Sequence, residues 1–600
     1  MPYERAGAYA AIRDYAAIGD GRTVALVARD GAIDWLCLPN LDSPSTFGAL
    51  LDAERGGSFV LRPTSPFDAA RRYVAKTNVL ETTFTTATGA VRVTDALTLP
   101  GRGLSPYREL ARRVEALSGR VSMEWLVEPR FDYALGPTRR EQRAGVPVAT
   151  HGRDAVAVCS WAAGTAGWDG EAIAGSFTAT EGETSLVVLS AAHQEPLVLP
   201  SRADVEERLR ATARTWREWA EGREYDGAWR DAVLRSALAL KLLVFAPSGA
   251  IAAAATTSLP EEIRGERNWD YRFAWPRDAA FTLEALLALG CSREARAFFW
   301  WLLHASQLTH PRLQVLYRLD GGVETEERSL PLDGYRGSRP VRVGNGASTQ
   351  TQLDVYGEVL QAIGRFAEFD GGLDRDHGRR AAAIADFVCE TWMHPDAGIW
   401  EVRGEPKHYT QSKMMCAVAL ESLCALHDQG LVKGDVERWR RVAARIREFV
   451  ETACWSERTK SYVRIAEDEE LDASLLLVVV AGYDEPRSER LLATVDAVAR
   501  TLREGPFVRR YRSDDGLRGE EGAFLTCSFW LVDAYARQGR LEEAAKLMDE
   551  LVGLANDVGL YAEEIDPESG EFLGNFPQAL THLALINAAV SFARAQEAGR

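Results

Sequence analysis

The spacing of apolar residues changes once along this chain, near residue 200, and no other feature constrains the fold as strongly. Before that point apolar residues alternate with polar ones, as in Thr82–Thr98, which turns at Thr88-Gly89. Such alternation is typical of strands that bury one face. Similar short runs occur at 23–27, 58–62, 121–127, 155–161 and 184–190. We therefore predict an N-terminal antiparallel β-sandwich over residues 1–200.

The rest of the chain follows a helical period. A charged amphipathic helix at 203–221 predicts a helical linker over 201–226. Between 227 and 600, twelve helical segments are predicted, near 228–246, 278–290, 292–308, 351–369, 379–394, 411–428, 435–454, 471–482, 487–504, 520–538, 540–556 and 577–597. Twelve antiparallel helices can form an open solenoid or a closed double ring. A solenoid usually shows a fixed repeat, and this sequence has none. Long connections such as 309–350 and 395–410 are usually functional and converge at one end of a ring. Both observations favour an (α/α)6 barrel.

The composition excludes several classes of function. The 600 residues carry a formal net charge of −17, which repels phosphate backbones, although acidity also favours solubility. No run in the sequence reaches the ~18 apolar residues of a membrane span. Eight cysteines lack paired spacing, as is typical of buried thiols in a reducing compartment. We therefore expect a cytoplasmic protein that binds neither nucleic acid nor membrane, with homo-oligomers left open.

Metal and nucleotide chemistry also lack their usual motifs. The nine histidines form no HxxxH or HxH pair, and no CxxC occurs, so neighbouring residues do not predict a metal site. The GxSxG, Walker and strand-borne GxGxxG motifs do not occur either. We expect no cofactor and no metal. Carboxylates remain as the candidate reactive groups.

The segment 267–281, RNWDYRFAWPRDAAF, combines five aromatic residues with three arginines and two aspartates. Aromatic faces stack on the C–H faces of sugar rings, and Arg and Asp side chains form charge-assisted hydrogen bonds with hydroxyls. This combination predicts a pocket for a neutral, hydroxyl-rich ligand. The alternative is a helix start whose aromatics belong to the core and whose charges pair with each other.

Two long connections carry glutamates that suit cleavage of a glycosidic bond. Glu401 follows Trp400, which could desolvate it and raise its pKa, as a general acid requires. Glu563 and Glu564 are adjacent, so one could face inward while the other stays solvated. Glycosidases need one carboxylic acid to protonate the leaving oxygen and one carboxylate to activate water or attack the anomeric carbon. The alternative is that these loop glutamates are helix caps or surface charges.

Blocks of sequence along nearly the whole chain resemble glycoside hydrolase family 15, particularly its bacterial glucoamylase-like and trehalase-like members. The blocks are YAAIGD (15–20), GAIDW (31–35), TSLPE (257–261), RNWDYRFAWPRDAAF (267–281), GYRGS (334–338), PVR (340–342), QLDVYGE (352–358), GIWEVRG (398–404), LDASL (471–475) and AEEIDPESGEFLGNFPQA (562–579). The resemblance implies a β-sandwich followed by an (α/α)6 barrel. It also implies inverting hydrolysis of α-glucosides from the non-reducing end, with release of β-D-glucose and without a cofactor.

The resemblance assigns the catalytic pair. Glu401 of the WEV motif resembles the general acid, and Glu563 resembles the water-activating base, with Glu564 as its neighbour. Inversion needs room for a water between the base and the anomeric carbon. We therefore predict that the carboxyl groups of Glu401 and Glu563 lie about 6.5–9.5 Å apart, whereas about 5 Å would indicate a retaining mechanism.

The resemblance also assigns contacts with the sugar. Arg277 and Asp278 resemble the residues that hold hydroxyls of the terminal glucose. The remaining candidates are Arg510 and Tyr511 for the same subsite, Trp275 and Trp400 as walls, and Tyr335 and Arg336 for the leaving sugar.

Two departures from the family pattern leave the substrate open. Met415-Cys-Ala417 stands where relatives commonly carry a tryptophan, and segment 326–333 differs from the usual sequence before GYRGS. Both put trehalose in doubt, although ordinary packing differences explain them equally well. Trehalose and malto- or isomalto-oligosaccharides remain candidates. Two other functions stay open: a catalytically inactive carbohydrate-binding barrel, and an inverting disaccharide phosphorylase.

Overall fold

The structure, a computed structural model, describes residues 5, 7–99, 107–512 and 521–599. The N-terminal part consists of short strands that follow the alternating apolar pattern. They are β1 (Tyr15–Gly19), β2 (Val24–Ala28), β3 (Ala32–Cys37), β4 (Ser45–Phe47), β5 (Phe59–Pro63), β6 (Phe67–Tyr73), β7 (Leu80–Thr86), β8 (Gly89–Leu97), β9 (Arg108–Val127), β10 (Arg139–Arg143), β11 (Val146–His151), β12 (Asp154–Trp161), β13 (Gly167–Asp169), β14 (Ala172–Thr180) and β15 (Thr184–His193).

The long strand β9 joins two antiparallel sheets into a sandwich. Its first half pairs with β8 and β15, and its second half pairs with β5 and β14. Strands β1 to β3 extend the sheet on the β5 side, and β12, β11 and β10 extend the sheet on the β15 side. Each predicted alternating run coincides with one of these strands, and the predicted hairpin at 82–98 is formed by β7 and β8. The N-terminal antiparallel sheet domain is confirmed.

Helices make up the remainder of the fold. They are α1 (Arg202–Glu221), α2 (Arg230–Leu243), α3 (Ala279–Ala288), α4 (Ser292–Gln307), α5 (Asp354–Asp370), α6 (Arg375–Thr391), α7 (Thr410–Asp428), α8 (Val436–Ala453), α9 (Leu477–Val480), α10 (Glu489–Leu502), α11 (Leu525–Arg537), α12 (Leu541–Val552) and α13 (Ala579–Ala598). Helix α1 lies within the predicted linker, and Ser201 caps it by accepting a hydrogen bond from the Asp204 N–H. Each predicted helical segment overlaps one of the helices α2–α13, although residue 520 of one segment lies outside the described residues.

Six helices pack side by side in a closed ring. Helix α3 contacts α5, α5 contacts α7, α7 contacts α9, α9 contacts α11, α11 contacts α13, and α13 returns to α3. Burial distinguishes this inner ring from the outer helices. Every residue of α13 from Ala579 to Phe592 is buried, whereas outer helix α8 buries one stripe that includes Trp439, Ile446 and Val450. This arrangement is consistent with the predicted (α/α)6 barrel. No helix in the described parts of the chain is long and apolar enough to cross a membrane.

Short strand pairs stiffen the loops between the helices. They are β16 (Thr257–Pro260), β17 (Asn268–Asp270), β18 (Arg328–Leu330), β19 (Val341–Val343), β20 (Trp455–Ser456), β21 (Ser461–Tyr462), β22 (Arg503–Glu504), β23 (Phe507–Val508), β24 (Ala523–Phe524), β25 (Glu564–Ile565) and β26 (Phe572–Leu573).

The sheet domain also supports these loops. The Trp35 indole N–H donates a 2.8 Å hydrogen bond to the Ala255 carbonyl. The buried guanidinium of Arg272 pairs with Asp270 and donates at 2.8 Å to the Tyr133 hydroxyl. A buried ion pair needs such additional hydrogen bonds.

Candidate active site

A pocket of about 1020 Å³, measured out to its opening, lies where the N-terminal ends of inner helices α3, α7, α11 and α13 meet. Aromatic and charged side chains alternate around its wall. They include Trp269, Tyr271, Trp275, Arg277, Asp278, Phe281, Trp400, Glu401, Arg403, Arg510, Tyr511, Trp530 and Leu580. The segment 267–281 therefore supplies the largest part of the wall. This is the lining predicted for a neutral, hydroxyl-rich ligand.

Glu401 projects into the pocket from the loop before α7. The indole N–H of Trp275 donates a 2.6 Å hydrogen bond to its Oε1, and Nη1 of Arg277 lies 3.3 Å from the same oxygen. The backbone of Glu401 is left-handed, with φ of 59°, a strained conformation that is concentrated at functional sites. Burial raises the pKa of Glu401, and Arg277 and the Trp275 N–H oppose that rise. The net rise in pKa favours the protonated side chain, as a general acid requires.

Arg277 and Asp278 lie at the start of helix α3, next to the candidate acid. Nε of Arg277 donates to Oδ1 of Asp278 at 3.0 Å, and its Nη1 donates to the Ile399 carbonyl at 3.0 Å. Both side chains are more than four-fifths buried and line the pocket. Each thus has a fixed direction, as a group that binds sugar hydroxyls requires.

Glu563 lies on the loop between α12 and α13, immediately before β25, and is 1% exposed. It exchanges hydrogen bonds with Asn575: the Glu563 N–H donates to the Asn575 carbonyl at 3.1 Å, and the Asn575 N–H donates to Oε2 of Glu563 at 3.2 Å. Gly574 has a φ of 70°, and a Cβ there would lie 2.4 Å from Oε2, so only glycine fits. Oε1 has no hydrogen-bond partner within the described residues. Burial, reinforced by the charge of Glu261, raises the pKa of Glu563 to about 8.

Glu563 belongs to a buried carboxylate cluster, formed by Glu261, Glu521, Glu563 and Glu564. Arg510 pairs with three members, at 3.0 Å from Glu261, 2.7 Å from Glu521 and 3.3 Å from Glu564. Arg267 lies 2.6 Å from Glu521. Burial raises the pKa of Glu564 well above its usual range, and the charge of Glu261 adds to this effect. Four carboxyl groups outnumber two guanidinium groups, and this excess of negative charge favours protonation within the cluster.

Tyr271 connects the two candidate glutamates. It lines the pocket, and its ring packs edge-on against Trp275 with the centroids 5.4 Å apart. Burial raises the pKa of its hydroxyl well above the usual value, and the charges of Glu563 and Glu401 raise it further. The hydroxyl therefore lies within electrostatic reach of both carboxylates. The separation between those carboxyl groups stays a prediction.

Trp400 and Tyr511 also line the pocket. The indole N–H of Trp400 donates to both oxygens of Asp472, at 2.9 and 3.0 Å, and its ring packs edge-on against Phe524. The Arg464 guanidinium lies 3.8 Å from the ring centroid of Tyr511. These contacts hold both aromatic faces in place.

Tyr335 and Arg336 lie outside the pocket wall, and their contact with the leaving sugar stays a prediction. The side chain of Tyr335 is 1% exposed, and its hydroxyl donates at 2.9 Å to the Ala10 carbonyl of the N-terminal part. Arg336 donates at 2.9 Å to Glu571, and neither residue lines the pocket in the described structure. The GYRGS motif connects the sheet domain to the barrel, because the hydroxyl of its tyrosine donates a hydrogen bond to the segment before β1.

Several pocket residues received no individual role from the sequence. Tyr271, Trp269 and Arg267 belong to the segment 267–281, and Glu261 ends the TSLPE block. The sequence therefore singled out the blocks that contain these residues but predicted no separate role for any of them. Arg403 and Glu521 carried no signal of their own. No group of three or more His, Cys, Asp or Glu side chains is arranged to hold a metal ion in the part of the chain that the structure describes.

The sequence profile described as Glycosyl hydrolases family 15 matches residues 227–590, and the profile described as Trehalase-like, N-terminal matches residues 6–194. A trehalase of Mycobacterium tuberculosis is 40% identical over 98% of this chain and 90% of its own length. A trehalase of Thermoplasma volcanium is 35% identical over 97% of this chain and 93% of its own length.

A solved bacterial glucoamylase, complexed with acarbose, superposes with a TM-score of 0.72 and covers 99% of this chain and 96% of its own. At 13% identity, that likeness concerns the fold alone. The family profile and the two trehalases together identify the chain: it belongs to glycosyl hydrolases family 15 and is a glycoside hydrolase.

Proposed function

We propose that this enzyme hydrolyses an α-linked glucoside from its non-reducing end with inversion, and that trehalose is its substrate. The observation that carries the proposal is one glutamate on the wall of an aromatic pocket and a second glutamate buried next to Tyr271, which lines the same pocket. Glu401 is hydrogen-bonded at the wall, and Glu563 does not line the pocket itself but has one oxygen held and the other without a partner among the described residues. The two side chains differ in environment, as an acid and a base must.

The proposed acid is Glu401. Burial favours its protonated form, and the Trp275 N–H and Arg277 favour the carboxylate that remains after proton transfer. Interactions that strengthen as charge develops lower the barrier. Glu401 therefore donates its proton to the glycosidic oxygen as the bond to the anomeric carbon breaks.

The proposed base is Glu563. Oε2 is fixed by the Asn575 N–H, so Oε1 is the oxygen that accepts a proton from the attacking water. The water adds to the face of the sugar opposite the leaving oxygen, which inverts the anomeric carbon. Burial raises the pKa of Glu564 well above its usual range, so we assign the protonated form within the carboxylate cluster to Glu564. Glu563 acts as the base in its carboxylate form, which becomes populated as the pH rises towards its pKa of about 8.

Exo action and the substrate rest on the pocket and on the relatives. Phe281 and Leu580 line the pocket from inner helices α3 and α13, and we infer that they form its closed end, which admits only a chain end. Arg277 and Asp278 line the same pocket and are the proposed contacts for hydroxyls of the terminal glucose. The relatives named trehalases, which match nearly the whole chain, favour trehalose over longer glucosides.

Proton NMR at early times tests the proposal directly. Trehalose carries two α-linked glucose units, and cleavage with inversion changes only the one attacked by water. Equal initial amounts of α- and β-glucose are therefore expected. Release of α-glucose alone indicates retention and contradicts the proposed roles. Adding inorganic phosphate tests the phosphorylase alternative, which requires a glucose phosphate as product.

A further inference from the structure

A second group of side chains is built around Trp269 in the outer part of the pocket. Two guanidinium groups lie over its indole, with Cζ of Arg403 at 4.1 Å and Cζ of Arg342 at 4.5 Å from the ring centroid. Glu327 holds both: it lies 2.8 Å from Nη2 of Arg403 and 3.4 Å from Nε of Arg342. The Gly346 N–H fixes Glu327 in turn, donating at 3.0 Å. Stacking and ion pairing together set the plane of the Arg403 guanidinium.

Arg403 lines the pocket close to the proposed acid. On the function proposed above, a terminal glucose held by Arg277 and Asp278 occupies the inner part of the pocket, near the ends of the inner helices. Arg403 lies two residues beyond Glu401 on the same loop, lines the pocket and is 34% exposed. The ring on the other side of the cleaved bond must occupy this outer part. Trp269 and Arg403 form its wall.

We propose that Arg403 determines specificity for the leaving sugar by direct contact, with Trp269 as the adjoining wall and Glu327 as the residue that positions it. This proposal rests on the function proposed above. A guanidinium offers several N–H donors in a fixed plane, and sugar hydroxyls accept them, whereas a lysine offers a mobile point charge. Glu327 lies in segment 326–333, which departs from the usual family sequence, whereas Arg403 and Trp269 belong to blocks that resemble the family.

A second route by which Arg403 could affect the rate must be separated from this one. The charge of Arg403 also lowers the pKa of Glu401. A variant that removes the charge would weaken the acid and imitate a lost sugar contact. Arg403→Lys keeps the charge near Glu401 and removes only the planar set of donors.

The experiment compares Arg403→Lys with a matched control, Arg447→Lys. Arg447 is also 34% exposed, is paired with Glu421 and lies 4.3 Å from the ring centroid of Tyr483, but it is on outer helix α8. The two substrates are trehalose and α-D-glucosyl fluoride, whose leaving group has no sugar ring. kcat/KM is measured for both across a range of pH.

For Arg403→Lys we expect a loss of about tenfold on trehalose, the size of one or two hydrogen bonds, and less than about twofold on the fluoride. The basic limb of the pH profile should stay in place, and Arg447→Lys should match the unaltered enzyme. Glu327→Gln should give a smaller loss with the same substrate pattern, because it frees Arg403 without removing it.

Three results would overturn the assignment: equal losses on both substrates, a shifted basic limb, or no loss on trehalose. If the unaltered enzyme hydrolyses neither substrate, the proposed function itself is refuted. The proposed role of Arg403 is then refuted as well, because it depends on that function.

Discussion

The indole N–H of Trp275 donates a 2.6 Å hydrogen bond to Oε1 of Glu401, and this bond joins the segment before helix α3 to the loop before helix α7. One part of the chain carries the proposed sugar contacts Arg277 and Asp278, and the other carries the proposed acid. The bond fixes one to the other, so the orientation of Glu401 depends on the segment proposed to bind the terminal glucose.

The first prediction removes this bond. Trp275→Phe keeps an aromatic wall but takes away the N–H that favours the Glu401 carboxylate, so the pKa of Glu401 should rise. The basic limb of the kcat/KM profile should move to higher pH, and kcat should fall by about tenfold. A pH–rate series on trehalose measures both. A basic limb that stays in place would show that this hydrogen bond does not tune the acid.

The second prediction concerns the acidic limb. Glu261 adds to the burial that raises the pKa of Glu563, so Glu261→Gln should lower that pKa. Gln keeps an oxygen that can accept the Trp269 indole N–H, which lies 3.1 Å from Oε1 of Glu261. The acidic limb of kcat/KM should therefore move to lower pH. A shift to higher pH would contradict the charge relationship within the carboxylate cluster.

The third prediction separates activity from stability. Glu563→Gln removes the proposed base and should lower kcat by about 10²–10⁴-fold. The folded-state pKa of Glu563 is raised, so the native state binds this proton more tightly than the unfolded chain does. Stability contributed by this group therefore falls as pH rises from about 4.5 to about 8.

Glu563→Gln removes the ionisable group, so this variant does not lose stability in that way as the pH rises. It should unfold at a higher temperature than the unaltered enzyme at pH 8 and at a similar temperature at pH 4. Thermal unfolding followed by circular dichroism at the two pH values measures the difference. Near-normal turnover by Glu563→Gln would refute its assignment as the base.

The fourth prediction tests how the sheet domain holds the loop that carries Glu563. Asp557 lies 2.5 Å from Nη2 of Arg71, whose side chain is fully buried, and 3.0 Å from Nη2 of Arg29. Asp557→Asn leaves a buried guanidinium without its counter-charge, so the free energy of unfolding should fall by about 3 kcal/mol.

Urea unfolding measures this loss, with Asp496→Asn as the control. Asp496 pairs with Arg540 and is 54% exposed, so its loss should cost less than about 1 kcal/mol. Arg71 holds the pKa of Asp557 below its usual range, so the pair contributes above the ordinary carboxyl pKa and is lost as pH falls through the folded-state value. The difference between Asp557→Asn and the unaltered protein should therefore shrink in acid. A constant difference would show that the charge of Asp557 is not the cause.

The sequence by itself determined that a sheet domain precedes a helical domain, and it located the helical segments that form the ring. Both depend on local periodicity: alternation marks strands that bury one face, and a 3.6-residue period marks helices. It also located the loops that carry Glu401 and Glu563, because their blocks resemble a known family. The resemblance could not tell a sugar contact from a packing contact, as at Tyr335, whose hydroxyl donates to the Ala10 carbonyl.

Only the tertiary structure decided what surrounds each glutamate. Closure of the ring brings the N-terminal ends of its inner helices together, and the sheet domain then fixes the loops between them. Trp275 donates a hydrogen bond to Glu401, Arg510 pairs with Glu261 of the carboxylate cluster, and Glu327 pairs with Arg403. These contacts join residues far apart in the sequence. A pKa depends on burial and neighbouring charge, and neither is set until the ring closes.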